Sequence, residues 1–239
     1  MKTSLVPLFL AAAVIAAPAP LLAQEASAPR IHVTGEGEAA VAPDMAILTL
    51  TVMRDAETAR AALDAANAAM EEVLAAMREA GIEGRDLQTS GLQISPRYVY
   101  PQDGQGQPRI TGYEVANTLT VRVRDIAAVG TILDEAVTLG VNQGGNIVFT
   151  NDDPKGALEE ARRAAVADAM ARAGTLADAA GVTLGAVTEI SEVSRQPQPI
   201  PVAQAAMRME AADAGSVPVE AGENVYRVEV SVSFSIGAP

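Results

Sequence analysis

Hydrophobic positions along this chain change period several times, and each change marks an element. Between Ile31 and Met53, apolar and β-branched residues lie on either side of Pro43-Asp44, which predicts two strands joined by a turn. Leu63, Ala66, Met70, Val73, Leu74 and Met77 then recur at three- and four-residue steps, so residues 57–80 read as an amphipathic helix that Gly81 stops. A strand over 86–100 follows, then a polar Gly/Pro loop over 101–109. Val115, Asn117, Leu119, Val121 and Val123 alternate with Ala116, Thr118, Thr120, Arg122 and Arg124, the pattern of a strand with one buried and one wetted face.

The second half repeats these signals. A shorter helix over 126–139 ends at Gly140, and Ile147-Val148-Phe149 makes a brief strand. Asp153-Pro154 marks a helix start, a capping carboxylate followed by proline at the first helical position. That helix runs to Ala180 with a face of small residues (Leu158, Ala161, Ala165, Ala169, Ala173, Leu176, Ala180), suited to lying close on a sheet. An irregular strand over 187–193 leads to a Pro/Ala/Met-rich excursion, 196–223, read as an interaction arm. The last strand has Tyr226, Val228, Val230, Val232, Phe234 and Ile236 on its inner face. Clean alternation argues against buried parallel strands, so the fold class is α+β, a mainly antiparallel sheet with long helices packed on one face. Ala80-Gly81-Ile82 and Ala180-Gly181-Val182 each end a helix and open a strand, through either a duplicated unit or shared helix-stop grammar.

Residues 1–23 change the picture of where the protein works. Lys2, the uncharged apolar run Leu5 to Ala17 and Ala23 before Gln24 have the build of a signal peptide cut after Ala23. The run is too short for a comfortable span, and no other long apolar segment follows, so no integral membrane span is expected after cleavage. The remainder, 24–239, suits one large domain or two intimately packed subdomains at about 30–100 and 110–237. With no cysteine in the chain, disulfides, thiolate metal sites and a cysteine nucleophile are excluded. The net charge is −13, and losing Lys2 leaves 16 basic against 30 acidic side chains, or −14, which repels nucleic acid.

Candidate chemistry is sparse. Gly35-Glu36-Gly37 lacks the third glycine and following helix of a dinucleotide loop, and reads as a bulge or bend. His32 is the single histidine and has no Gly-x-Ser-x-Gly elbow beside it. Asn151-Asp152-Asp153 reads as helix capping rather than a cation loop. Asp55, Glu57, Glu71, Glu72, Glu159 and Glu160 read as solvated helix faces. Tyr98, Tyr100 and Tyr113 either pack a hairpin base or form a contact patch or cleft, and Met207 and Met209 could offer thioethers to copper. No catalytic, cofactor-binding or metal residue is assigned, and no cofactor is expected.

Val33-Thr34-Gly35-Glu36-Gly37, Pro43-Asp44-Met45-Ala46 and Ala80-Gly81-Ile82 with Asp86-Leu87-Gln88-Thr89 form an ordered series. Pro96-Arg97-Tyr98, Gly112-Tyr113 and Ala180-Gly181-Val182-Thr183-Leu184-Gly185 continue it. In this order and spacing they resemble the SIMPL-domain family of bacterial envelope proteins. The resemblance spans Ile31 to Ile236 and implies a periplasmic α+β protein, with homo-oligomers among family members and links to envelope integrity and oxidative stress. It brings no catalytic residue. The expected function is therefore an exported, non-enzymatic protein that self-associates in the periplasm, loosely associated with the envelope. A small-ligand- or metal-binding module is the alternative.

Overall fold

The computed structural model describes residues 28–100, 107–192, 200–202 and 217–238. The signal segment, the tip of the 101–109 loop and both methionines of the 196–223 arm lie outside the described residues.

Strands β1 (Arg30–Val41) and β2 (Met45–Ala56) flank the Pro43-Asp44 turn, and α1 (Ala59–Glu79) follows. Next come β3 (Leu87–Val99), β4 (Arg109–Val123), α2 (Val129–Thr138), β5 (Gln143–Thr150) and α3 (Lys155–Ala180). The chain closes with β6 (Thr183–Glu192), β7 (Ile200–Val202) and β8 (Glu223–Gly237). Every strand pairing is antiparallel, which bears out the α+β reading.

The strands form two sheets rather than one. Sheet I has the order β1-β8-β6, with β7 also on β8; sheet II has the order β3-β4-β2-β5. Sheet II is thus drawn from residues 45–150, while sheet I joins 30–41 to the C-terminal strands. The sheets do not divide the chain near residue 105, because β1 pairs along its whole length with β8, from Arg30↔Ser235 to Val41↔Asn224.

Each sheet buries one face under helix. Over sheet II, Met70, Val73 and Met77 of α1 and Val129, Ile132 and Leu133 of α2 meet Leu48, Leu50, Val52, Leu119, Val121 and Val123. Burying each such side chain contributes about 1.5–3 kcal/mol. Over sheet I, the fully buried contacts of α3 are methyl groups: Ala161, Ala165, Ala169 and Ala173 sit on Val33, Val228, Val230, Val232 and Phe234, with Leu158 and Val166 half-buried beside them.

Gly35 and Gly37 make that approach possible, and this corrects their reading as a bulge. β1 is continuous and in register through both. A Cβ on Gly35 would fall on Ala165 O and Ala169 N, and one on Gly37 on Ala161 O and Ala165 N. The glycines are where helix backbone rests on strand backbone.

The helix boundaries follow local chemistry. Thr58 Oγ1 accepts from Ala61 N–H at 3.2 Å to start α1, and Asp153 Oδ1 accepts from Lys155 N–H at 3.1 Å at the head of α3. α1, α2 and α3 stop alike, at a glycine one or two positions past the last helical residue: Gly81, Gly140 and Gly181. The next residue then donates back five positions: Ile82 N–H to Met77 O, Val141 N–H to Ala136 O and Val182 N–H to Ala177 O, each 3.0 Å. The third case, Leu139-Gly140-Val141, shows that the echo between residues 80–82 and 180–182 is helix-stop grammar.

Candidate functional site

The ionisable residues singled out from sequence do not converge. Among the described residues no three His, Cys, Asp or Glu side chains gather as a metal site. His32 Nδ1 lies 3.0 Å from Ser233 Oγ, a contact explained by register, since these two residues face each other across β1 and β8. Ser233 is buried and His32 stands on the open face of sheet I, with no carboxylate bonded to the imidazole among the described residues. Asp55 pairs with Arg97 at 2.5 Å and Glu159 with Arg163 at 3.4 Å, both on exposed surface. Glu57, Glu71, Glu72 and Glu160 are exposed, as solvated faces should be.

Asn151-Asp152-Asp153 does more than cap a helix; its three residues have three tasks. Asp153 caps. Asp152 Oδ2 accepts from Arg124 Nη1 at 2.5 Å, and its N–H donates to Asp44 Oδ1 at 2.8 Å. Arg124 also grips Asp86 through Nε (3.0 Å) and Nη2 (3.2 Å), and Asp86 is buried. The guanidinium's hydrogen bonds hold the Asp86 carboxyl below its ordinary range, and the same bonds to Asp86 raise the affinity of Arg124 for its proton.

Asn151 points inward. Its Nδ2 donates to Ala42 O at 2.8 Å, while its Oδ1 accepts from Asn224 Nδ2 and Tyr226 Oη, both at 3.0 Å. Burial raises the Tyr226 phenol above its ordinary value, so it stays a neutral donor. Together these groups clamp the two crossings between sheets, at residues 42–44 and 150–153. They are a joint, and they leave no open reacting geometry.

The three tyrosines do not form the cleft considered for a small-ligand module. Tyr113 is half-buried beside Ala62, Ala66 and Val115 at the head of α1. Tyr98 is 51% exposed and Tyr100 70%. Leu92 (56%) and Ile94 (46%) extend this apolar surface along β3. Leu92 pairs with Asn117 and Ile94 with Val115, whose side chains are buried on the helix-covered face. Leu92 and Ile94 therefore share that face, but α1 lies over β4 and β2 and leaves the β3 edge bare. Sequence reasoning missed this shelf. The alternation Leu92, Ile94, Pro96 against Gln93, Ser95, Arg97 announces an apolar face without saying whether a helix reaches it.

The model of the SIMPL family, described as a protein family of unknown function (DUF541), matches residues 31–234. The chain belongs to the SIMPL family. It is 58% identical over 211 residues, 87% of its length, to the 26 kDa periplasmic immunogenic protein of Brucella melitensis, and covers 84% of that relative. It is 31% identical over 172 residues to the uncharacterised protein YggE of Edwardsiella ictaluri, covering 70% of this chain and 71% of that one. The YggE of Escherichia coli K12 is 28% identical over 202 residues, 84% of this chain and 78% of that one. None of these SIMPL relatives is named as an enzyme. The chain is a periplasmic protein of this family, and no helix among its described residues is long and apolar enough to cross a membrane.

Proposed function

We propose that this SIMPL protein is exported by cleavage after Ala23 and acts without catalysis. In this reading it self-associates through the β3 shelf and contributes to envelope maintenance or oxidative-stress tolerance. One observation carries the reading. β3 is an edge strand of 13 residues with Leu92, Ile94 and Tyr98 exposed on one face, while the buried chemistry of the molecule is spent on joining its own sheets. A contiguous apolar surface of this kind marks an interaction site rather than a feature of a solitary soluble protein. Pro96 has no N–H and β3 slips register at Thr89/Gly91 and Arg97/Tyr98, so the contact is one of side chains more than of a continued ladder.

The test is native mass measurement of the chain recovered from the periplasm, beside a Leu92→Asp/Ile94→Asp variant. The wild type should begin at Gln24 and run as a homo-oligomer. The variant should keep its fold and fall to smaller species, because two carboxylates cannot be buried unpaired at an interface. An unchanged oligomer in the variant would remove β3 from the interface, and a wild-type monomer would end the proposal.

A further inference from the structure

The edges of the two sheets are protected in different ways. β5 breaks register at Thr49/Leu50 of its partner, opposite Gly144 and Gly145, both at positive φ. β6 slips twice, and β3 slips twice and carries Pro96. Bulges and proline are the usual means of making an edge unfit for another strand. β1 has neither. Twelve residues run in unbroken register with β8, and the opposite side of β1 is an edge of sheet I.

What covers it comes from α3. Glu36 N–H donates to Asp168 Oδ2 at 2.9 Å, and Arg172 Nη1 donates to Thr34 O, also at 2.9 Å. In an antiparallel ladder, alternate residues turn their backbone groups to the same side, so Thr34 and Glu36 present theirs away from β8. Asp168 and Arg172 bond to one another at 2.9 Å as an i,i+4 pair. The two side chains thus supply one acceptor and one donor to the groups flanking Gly35, as the backbone of an added strand would. The chain uses the same device at β2, where Asn142 Oδ1 accepts from Met53 N–H at 2.8 Å and its Nδ2 donates to Met53 O at 3.0 Å. An open, mainly apolar groove lined by Val33, Thr34, Ala171, Arg172, Thr175 and Leu176 adjoins the clasp and leaves room for a side chain of such a strand.

We infer that β1 is a latent strand-accepting edge and that Asp168 and Arg172 are the clasp that closes it to a second copy of this chain. The clasp confines association to the β3 surface. In that sense it rests on the self-association proposed above, although closure of the edge does not depend on it.

Amide hydrogen exchange tests the clasp directly. In the wild type, the Glu36 amide should exchange at least about tenfold more slowly than the amides of Thr34 and Glu38 on the same edge. The decisive variant is the swap Asp168→Arg/Arg172→Asp, which keeps the ion pair on α3 but sets donor against N–H and acceptor against C=O. It should lose the Glu36 protection and gain larger species with rising concentration, whereas Asp168→Asn, which keeps an acceptor, should behave as wild type. Glu36 protection no greater than that of Thr34 in the wild type would overturn the inference, with no variant required. So would a swap variant with wild-type exchange, or one with the wild-type size distribution at every concentration. A monomeric wild type with a polymerising swap variant would uphold the clasp while refuting the β3 assembly.

Discussion

Two helix-on-sheet layers in one chain solve the same packing problem in opposite ways. Sheet II buries large side chains, and the volume between α1, α2 and the strands is filled by leucine, methionine, valine and isoleucine. Sheet I brings backbones together: α3 offers alanines at 161, 165, 169 and 173, and β1 answers with Gly35 and Gly37. The first arrangement depends on atoms being present, the second on their absence. Tolerance to substitution should therefore reverse in sign between the halves.

The largest effect is expected from Gly37→Val. Its β-carbon meets backbone atoms of Ala161 and Ala165, which cannot rotate away, so α3 must lift. The cost should exceed about 3 kcal/mol, beyond ordinary overpacking, read as the shift in urea midpoint. A loss under about 1 kcal/mol would mean that the two backbones are not in contact.

Truncation should sharpen the contrast. Leu50→Ala in sheet II removes a fully buried side chain and should cost about 2–4 kcal/mol. Ala165→Gly, the corresponding truncation in sheet I, should cost only about 1 kcal/mol, mainly of helix propensity. Equal losses in the same denaturation series would erase the distinction.

A smaller effect belongs to the joint between the halves. The Asp86 carboxyl is held below its unfolded value by hydrogen bonds from Arg124, so the unfolded state binds the proton first. The stabilisation is thus complete above the unfolded pKa of about 3.9 and is lost as pH falls through the folded value. Asp86→Asn should flatten the decline of the urea midpoint below pH 4 and change little at pH 7 beyond about 1–2 kcal/mol from the weakened pair. A wild-type midpoint that stays level from pH 5 to pH 2 would show that this bond contributes nothing.

Legibility from sequence followed the range of the interaction. Helix ends were readable because Gly81, Gly140 and Gly181 act on their own neighbours, and β4 and β8 were readable because alternation is local. The alanine face of α3 was also visible as far as Ala173; beyond it Leu176 and Ala180, placed on that face, are exposed and Ala177 is buried instead. The counterpart of that face was not visible, because Gly35 and Gly37 acquire their meaning from a helix more than 120 positions away. Two sheets looked like one for the same reason: alternation reports a buried face but not which sheet buries it. At the surface, the tyrosines were visible and their exposure was not. The Arg124 joint and the Asp168–Arg172 clasp join residues far apart in the chain, and no spacing rule announces them.

Sedimentation of the chain recovered from the periplasm, followed over a wide concentration range, is the most direct test of the claim that this protein works by presenting a surface to its own copies. A defined homo-oligomer that shifts to smaller species when Leu92 and Ile94 become aspartate is the predicted result. A strict monomer at every concentration would contradict it.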